Sequence, residues 1–210
     1  MIFSDIFWKY NCKVAIEYDG LQISYDELCD KVNYFSKLLL REGVKVGSKI
    51  LIKSEKCPDL VYFIFAIWNL GATYVPLSYD ANHDYETMLI NELSPDFIIK
   101  ISKDSNQIEK VGSHYRKIID SQLTENLFCN SSHDTAYILF SSGTTGQPKG
   151  AKISYKNLNN LCSWIECFFS AEEVSHVVWG ASISFDLSIL ELIVTFLHGG
   201  TLYIKQTLLE

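Results

Sequence analysis

Hydrophobic positions along the chain switch repeatedly between helical and strand spacing. From Ser24 to Glu42 the apolar residues Leu28, Val32, Phe35 and Leu39 recur every three or four positions, which predicts a helix with one buried stripe. Ser24 and Glu27 stand at capping-box spacing at its start, and Gly43 is placed to end it. Ile50-Leu51-Ile52 reads as a short buried strand. Pro58 to Leu70 is apolar on nearly every side and reads as a buried helix stopped by Gly71. Thr73 to Leu77 predicts a second strand, Asp84 to Leu93 a weaker helix and Phe97 to Ile101 a third strand. This order implies βαβ units, with mainly parallel sheets flanked by helices.

Ser102 to Ser132 is polar and poorly periodic apart from Lys117 to Asp120, and reads as a connecting region. The pattern resumes at Thr135 to Phe140, a strand, and continues into a helix from about Ser154 with Leu158, Leu161, Cys162 and Ile165 on one face. His176 to Trp179 reads as a strand and Leu187 to His198 as a helix closed by Gly199-Gly200. Thr201 to Ile204 is a last strand. On this reading residues 1–132 form a first α/β subdomain and residues 133–210 begin a second.

Composition narrows the class. With 48% hydrophobic and 20% charged residues, the chain has the make-up of a globular protein. A net charge of −7 argues against broad binding to nucleic acid or to an anionic membrane. No apolar run reaches the roughly 18 residues of a membrane span, and the N-terminus lacks the basic start of a signal peptide, so the expectation is a cytoplasmic protein. Six cysteines occur without a C-x-x-C pair, and the five histidines are scattered. The expectation is reduced, mostly buried thiols, no metal site and no catalytic histidine.

Candidate chemistry concentrates in Ser141-Ser142-Gly143-Thr144-Thr145-Gly146-Gln147-Pro148-Lys149-Gly150, behind the strand that ends at Phe140. Glycines allow backbone N–H groups to turn toward phosphate oxygens, hydroxyls add donors and the lysine adds a point charge. The run departs from the P-loop pattern, because Pro148 stands where its second glycine would be and Gly150 follows the lysine in place of Ser or Thr.

The same ten residues resemble the phosphate loop of the adenylate-forming superfamily. Three other segments agree in order: Ile23-Ser24-Tyr25-Asp26-Glu27-Leu28, Leu70-Gly71-Ala72-Thr73-Tyr74-Val75-Pro76-Leu77, and Phe185-Asp186-Leu187-Ser188. The last resembles the amino-acid-activating branch, as in adenylation domains of nonribosomal peptide synthetases. The resemblance implies the N-terminal part of the adenylate-forming fold, with ATP and Mg²⁺ as cofactors. Ser141, Ser142, Gly143, Thr144, Thr145, Gly146 and Lys149 would line the β- and γ-phosphates of ATP, with Lys149 and Thr145 as the catalytic candidates. The partners implied are an amino-acid substrate and a carrier protein bearing a phosphopantetheine thiol.

Asp186 can be read in two ways. As a helix N-cap it would be structural. Ser188 and Glu191 also stand at capping-box spacing, however, and if Ser188 caps the helix Asp186 is spare. The resemblance to the amino-acid-activating branch implies that Asp186 holds the substrate's α-ammonium, a charge-assisted hydrogen bond. Leu187 and Leu190 match positions that line the side-chain pocket in those relatives, while their apolar character alone reads equally well as core.

Two departures stand out. Ser78-Tyr79-Asp80-Ala81-Asn82-His83 replaces a proline-containing turn, and Tyr155 stands where many members have histidine. The chain also stops early by family standards. The resemblance implies an N-terminal fragment without the C-terminal lid, the adenine- and ribose-binding residues, the Mg²⁺-linked acid or the late lysine. Leu209-Glu210 reads as a cloning remnant. The expectation is that the fragment alone is inactive. An acyl-CoA or aryl-acid ligase, an inactive interaction module and a D-alanine-activating ligase remain open alternatives.

Overall fold

The amphipathic stripe predicted from Ser24 onward is a helix in the computed structural model, which describes residues 7–102, 105–110, 116–117, 135–141 and 149–205. It is preceded by a hairpin of β1 (Val14–Tyr18) and β2 (Leu21–Ser24). Then come α1 (Tyr25–Arg41), β3 (Lys49–Ser54), α2 (Pro58–Asn69), β4 (Thr73–Ser78), α3 (His83–Leu93) and β5 (Phe97–Ser102). Short strands β6 (Ser105–Lys110) and β7 (Arg116–Lys117) follow. The remainder is β8 (Thr135–Ser141), β9 (Lys149–Ser154), α4 (Tyr155–Phe168), β10 (His176–Trp179), α5 (Asp186–Leu197) and β11 (Thr201–Ile204).

Among the described residues the strands form two sheets. The larger has the order β7-β6-β5-β3-β4-β8-β9, with a parallel centre of β5, β3, β4 and β8 and antiparallel strands at both edges. The smaller has the order β10-β11-β1-β2, in which β11 runs parallel to both β10 and β1. Neither sheet is built from one side of residue 132 alone: β8 extends the sheet of β3–β5, and the hairpin β1–β2 joins β10 and β11.

Strand alternation divides the core into two layers. Ile50 and Ile52 of β3 face a large core shared with α1, α2 and α5, while Leu51 faces a smaller one with Leu89 and Leu93 of α3. Helix α2 is apolar all round because it is enclosed. Phe63 meets Phe35 of α1 at 4.3 Å between ring centroids, and Phe65 meets Phe196 of α5 at 5.4 Å. Burying each such ring contributes about 1.5–3 kcal/mol. The Trp68 indole N–H donates to the Ala136 carbonyl (3.0 Å) and Thr73 Oγ1 to the Thr135 carbonyl (2.7 Å), which fixes β8 beside β4. Tyr155 has a structural task, since its hydroxyl donates to the Ala72 carbonyl at 2.6 Å and ties α4 to the end of α2.

The capping box at Ser24 and Glu27 forms as expected, with Glu27 accepting from the Ser24 amide at 2.8 Å. The one expected at Ser188 does not. Phe185 occupies the N-cap of α5, and Ser188 turns its hydroxyl to the Phe185 carbonyl at 2.8 Å. The cysteine expectation also needs correction: of the five described, Cys29 and Cys162 are buried, Cys57 is half-buried, and Cys12 and Cys167 are exposed. No helix is long and apolar enough to cross a membrane among the described residues.

Candidate active site

Strands β4 and β8 run parallel with Tyr74 opposite Tyr137, and both end four residues later, at Ser78 and Ser141. Ligands of such sheets gather at these carboxyl ends. Strand β8 turns there into β9, and the pairing continues to its last residues, Phe140 with Gly150 and Ser141 with Lys149. Ser141 and Lys149, the residues that flank the glycine-rich run, are therefore paired strand ends. Gly150 is tightly placed: a Cβ there would lie 3.0 Å from Ile138 Cγ2 and 3.0 Å from Phe140 Cζ, so those side chains would have to shift. Lys149 is exposed and forms no ion pair among the described residues. Ser142, Gly143, Thr144, Thr145 and Gly146 lie outside the described residues.

Asp186 is exposed at the first position of α5, one residue past the N-cap Phe185; one of its carboxylate oxygens accepts from the first-turn amide of Leu187 at 2.8 Å. It approaches β8. The Tyr137 hydroxyl is pushed above its ordinary value by burial first and by the Asp186 charge second. Asp186 thus lies within electrostatic reach of Tyr137, on the strand that runs to Ser141. Leu187 is exposed and Leu190 packs partly against the large core.

The segment leading to Asp186 is held by two residues not predicted for the site. Lys56, just past β3 and buried, donates to the Trp179 carbonyl (2.9 Å) and to the Gly180 carbonyl (2.9 Å). Glu191 of α5 accepts from the Ala181 amide at 3.1 Å. Burial lowers the Lys56 ammonium, an effect the Glu191 charge opposes. Burial raises the Glu191 carboxyl against the downward pull of the Ala181 and Gly180 amides and of Lys56. A cleft of about 390 Å³ opens here, lined by Ser54, Lys56, Ser78, Tyr79, Gly180 and Ile183 among others. No sequence pattern distinguishes Lys56 from a surface lysine. Glu191 carried a signal, its spacing from Ser188, and that signal pointed to the wrong contact.

The described residues fit the phosphate end of a nucleotide: Lys149, a cation with no ion pair among them, stands at a paired strand end on the carboxyl edge of a parallel sheet. For a divalent ion they offer no cluster of three or more His, Cys, Asp or Glu side chains.

Comparison with known proteins agrees with this geometry. The family model described as AMP-binding enzyme matches residues 8–209. Tyrocidine synthase 1 of Brevibacillus parabrevis is 31% identical over 205 residues, covering 93% of this chain and 19% of the relative. The NpsA N-terminal subdomain of Klebsiella oxytoca in complex with anthranilyl-AMSN superposes with a TM-score of 0.82 at 24% identity, covering 97% of this chain and 53% of that one. NpsA-ThdA, an artificially fused Adenylation-PCP di-domain NRPS from the same organism, gives a TM-score of 0.81 at 24% identity, covering 97% and 42%. The chain thus spans about half the length of the NpsA subdomain and under a fifth of tyrocidine synthase 1.

Proposed function

Since the chain belongs to the AMP-binding enzyme family, we propose that it forms the phosphate-loop and amino-acid-recognising part of a ligase that activates an amino acid as its aminoacyl-AMP. The activated acyl group then passes to the phosphopantetheine thiol of a carrier protein. ATP supplies the α-phosphorus that the amino-acid carboxylate attacks, with pyrophosphate as the leaving group. The chain's own task is positioning and charge stabilisation. Lys149, together with Ser141, Ser142, Gly143, Thr144, Thr145 and Gly146, holds the β- and γ-phosphates and stabilises the charge that builds on them as pyrophosphate departs. Asp186 holds the substrate ammonium, and Leu187 and Leu190 border its side chain. Mg²⁺ would complete the phosphate site through residues of a longer protein.

One observation carries the reading: Asp186 is exposed, stands past the N-cap of α5 with a single bond to the Leu187 amide, and lies within electrostatic reach of Tyr137 on the strand that runs to Ser141. The name of the relative tyrocidine synthase 1 and the Adenylation-PCP architecture of a structural neighbour support the peptide-synthetase branch and the carrier partner. ATP–pyrophosphate exchange by a longer protein containing this chain, run on amino acids, aryl acids and fatty acids, tests it. Exchange with amino acids is expected, and exchange restricted to aryl or fatty acids would overturn the branch assignment. The 210 residues alone are expected to give no exchange, and aminoacyl-AMP formation by them would sink that expectation.

A further inference from the structure

Lys56 and Glu191 grip one short segment from opposite sides. Strand β10 ends at Trp179 in the smaller sheet, while Lys56 leaves β3 in the larger one. The Lys56 ammonium accepts no bonds and donates to two successive carbonyls, those of Trp179 and Gly180. The Glu191 carboxylate accepts from the next amide, that of Ala181. Glu191 lies on the same helix as Asp186, five residues on. Beyond the grip the turn is closed by the Phe185 amide on the Ser182 carbonyl (2.9 Å) and by the Ser188 hydroxyl on the Phe185 carbonyl (2.8 Å). The backbone from Trp179 to Asp186 is thereby fixed by polar contacts that cross between the two sheets.

We propose that Lys56 and Glu191 are positioning residues for amino-acid recognition: they hold the Trp179–Ala181 segment between the two sheets and so set where Asp186 meets the substrate. This rests on the reading of Asp186 given above. A buried cation beside a surface loop is costly unless its donors are satisfied. Here the satisfying acceptors are backbone carbonyls of the segment itself, so the lysine cannot keep its bonds while that segment moves. Loss of the grip lets the segment and the start of α5 shift. A misplaced partner weakens an ion pair with the substrate ammonium and leaves the phosphate loop, on a different strand end, in place.

The test uses a longer protein containing this chain, with Lys56→Met, Lys56→Arg and Glu191→Gln variants. Lys56→Met and Glu191→Gln are each expected to raise the amino-acid KM by about tenfold or more in ATP–pyrophosphate exchange, with the ATP KM within about twofold of the parent. Lys56→Arg, which keeps the charge and donors, is expected to restore most of the loss. Hydrogen exchange at the amides of residues 180–185 is read on the same proteins, and acceleration in Lys56→Met is expected. Equal rises in both KM values, or an unchanged amino-acid KM, would overturn the positioning role. Should the parent activate no amino acid at all, the function proposed above fails by itself. The amide exchange then decides the grip independently, because unaltered protection in Lys56→Met would refute it.

Discussion

Ser141 and Lys149 face each other across the β8–β9 ladder, so the residues between them start and finish one strand spacing apart. Strands pair at about 4.8 Å, so Ser141 and Lys149 stand on neighbouring strand ends. The ladder fixes the backbone of Lys149, and Gly150 beside it stands close to the Ile138 and Phe140 side chains.

Lys149→Met in a longer active protein tests the charge. The expected result is a loss of about 10²-fold in kcat/KM for ATP, the scale of removing one preorganised electrostatic contact. The amino-acid KM should change little. Steady-state exchange kinetics at varied ATP and amino acid separate the two.

Asp186→Ala should do the reverse. A hydrogen bond to a charged group is worth about 1.5–3 kcal/mol, so the amino-acid KM should rise about 10- to 100-fold while the ATP KM stays near its starting value. Asp186 is not the N-cap of α5 and bonds only the Leu187 amide, so the melting temperature should fall by only a few degrees. A large drop in melting temperature with equal losses for both substrates would assign Asp186 to the helix instead.

Gly200→Ala should be among the most damaging single changes to the fold. A Cβ at this position would stand 2.2 Å from the Val174 carbonyl oxygen, a backbone atom with no rotamer to adopt. The Gly200 carbonyl is also where the buried Tyr25 hydroxyl donates, at 2.7 Å. A destabilisation of about 3 kcal/mol or more is expected in urea unfolding. Gly47→Ala is the control: nothing lies within 4 Å of its added Cβ, and only the positive φ of 79° opposes it, at a cost of about 1 kcal/mol.

The sequence made the buried elements legible and hid the edges. Helices α1 and α2 and strands β3, β4 and β5 were readable because their side chains are sorted by burial, with Leu28, Val32 and Leu39 on one stripe and Ile50 to Ile52 inside a covered sheet. Strand β9 was not, because Lys149-Gly150-Ala151-Lys152 is an exposed edge whose pairing partner supplies the order that its own side chains lack. The hairpin β1–β2 did leave a signal, Asp19-Gly20, and both residues take the positive φ that a tight two-residue turn needs (49° and 77°). At the site, local wording is enough to propose Lys149 and Asp186 as candidates. Lys56 could not, since its contacts to Trp179 and Gly180 span more than 120 positions and exist only once the two sheets are assembled.

Glu86 provides a pH test of the smaller core. It sits on α3 between two lysines, 2.6 Å from Lys53 and 3.3 Å from Lys100, and so ties the helix to β3 and β5. Burial pushes its carboxyl up, but the Lys53 hydrogen bond and the charges of Lys100 and Lys53 outweigh this and hold it below its ordinary value of 4.5. The folded carboxyl therefore binds its proton less readily than the unfolded one. Its contribution to stability is fully present above pH 4.5 and is lost as pH falls through the lower folded value. Glu86→Gln removes that contribution and leaves the half-buried Lys53 without its carboxylate, at a cost of about 1–3 kcal/mol near pH 7. Urea unfolding of parent and variant at pH 7 and pH 3 should show a gap that narrows in acid. A gap of the same size at both pH values would mean that the carboxylate is tied to the helix by packing and not by its charge.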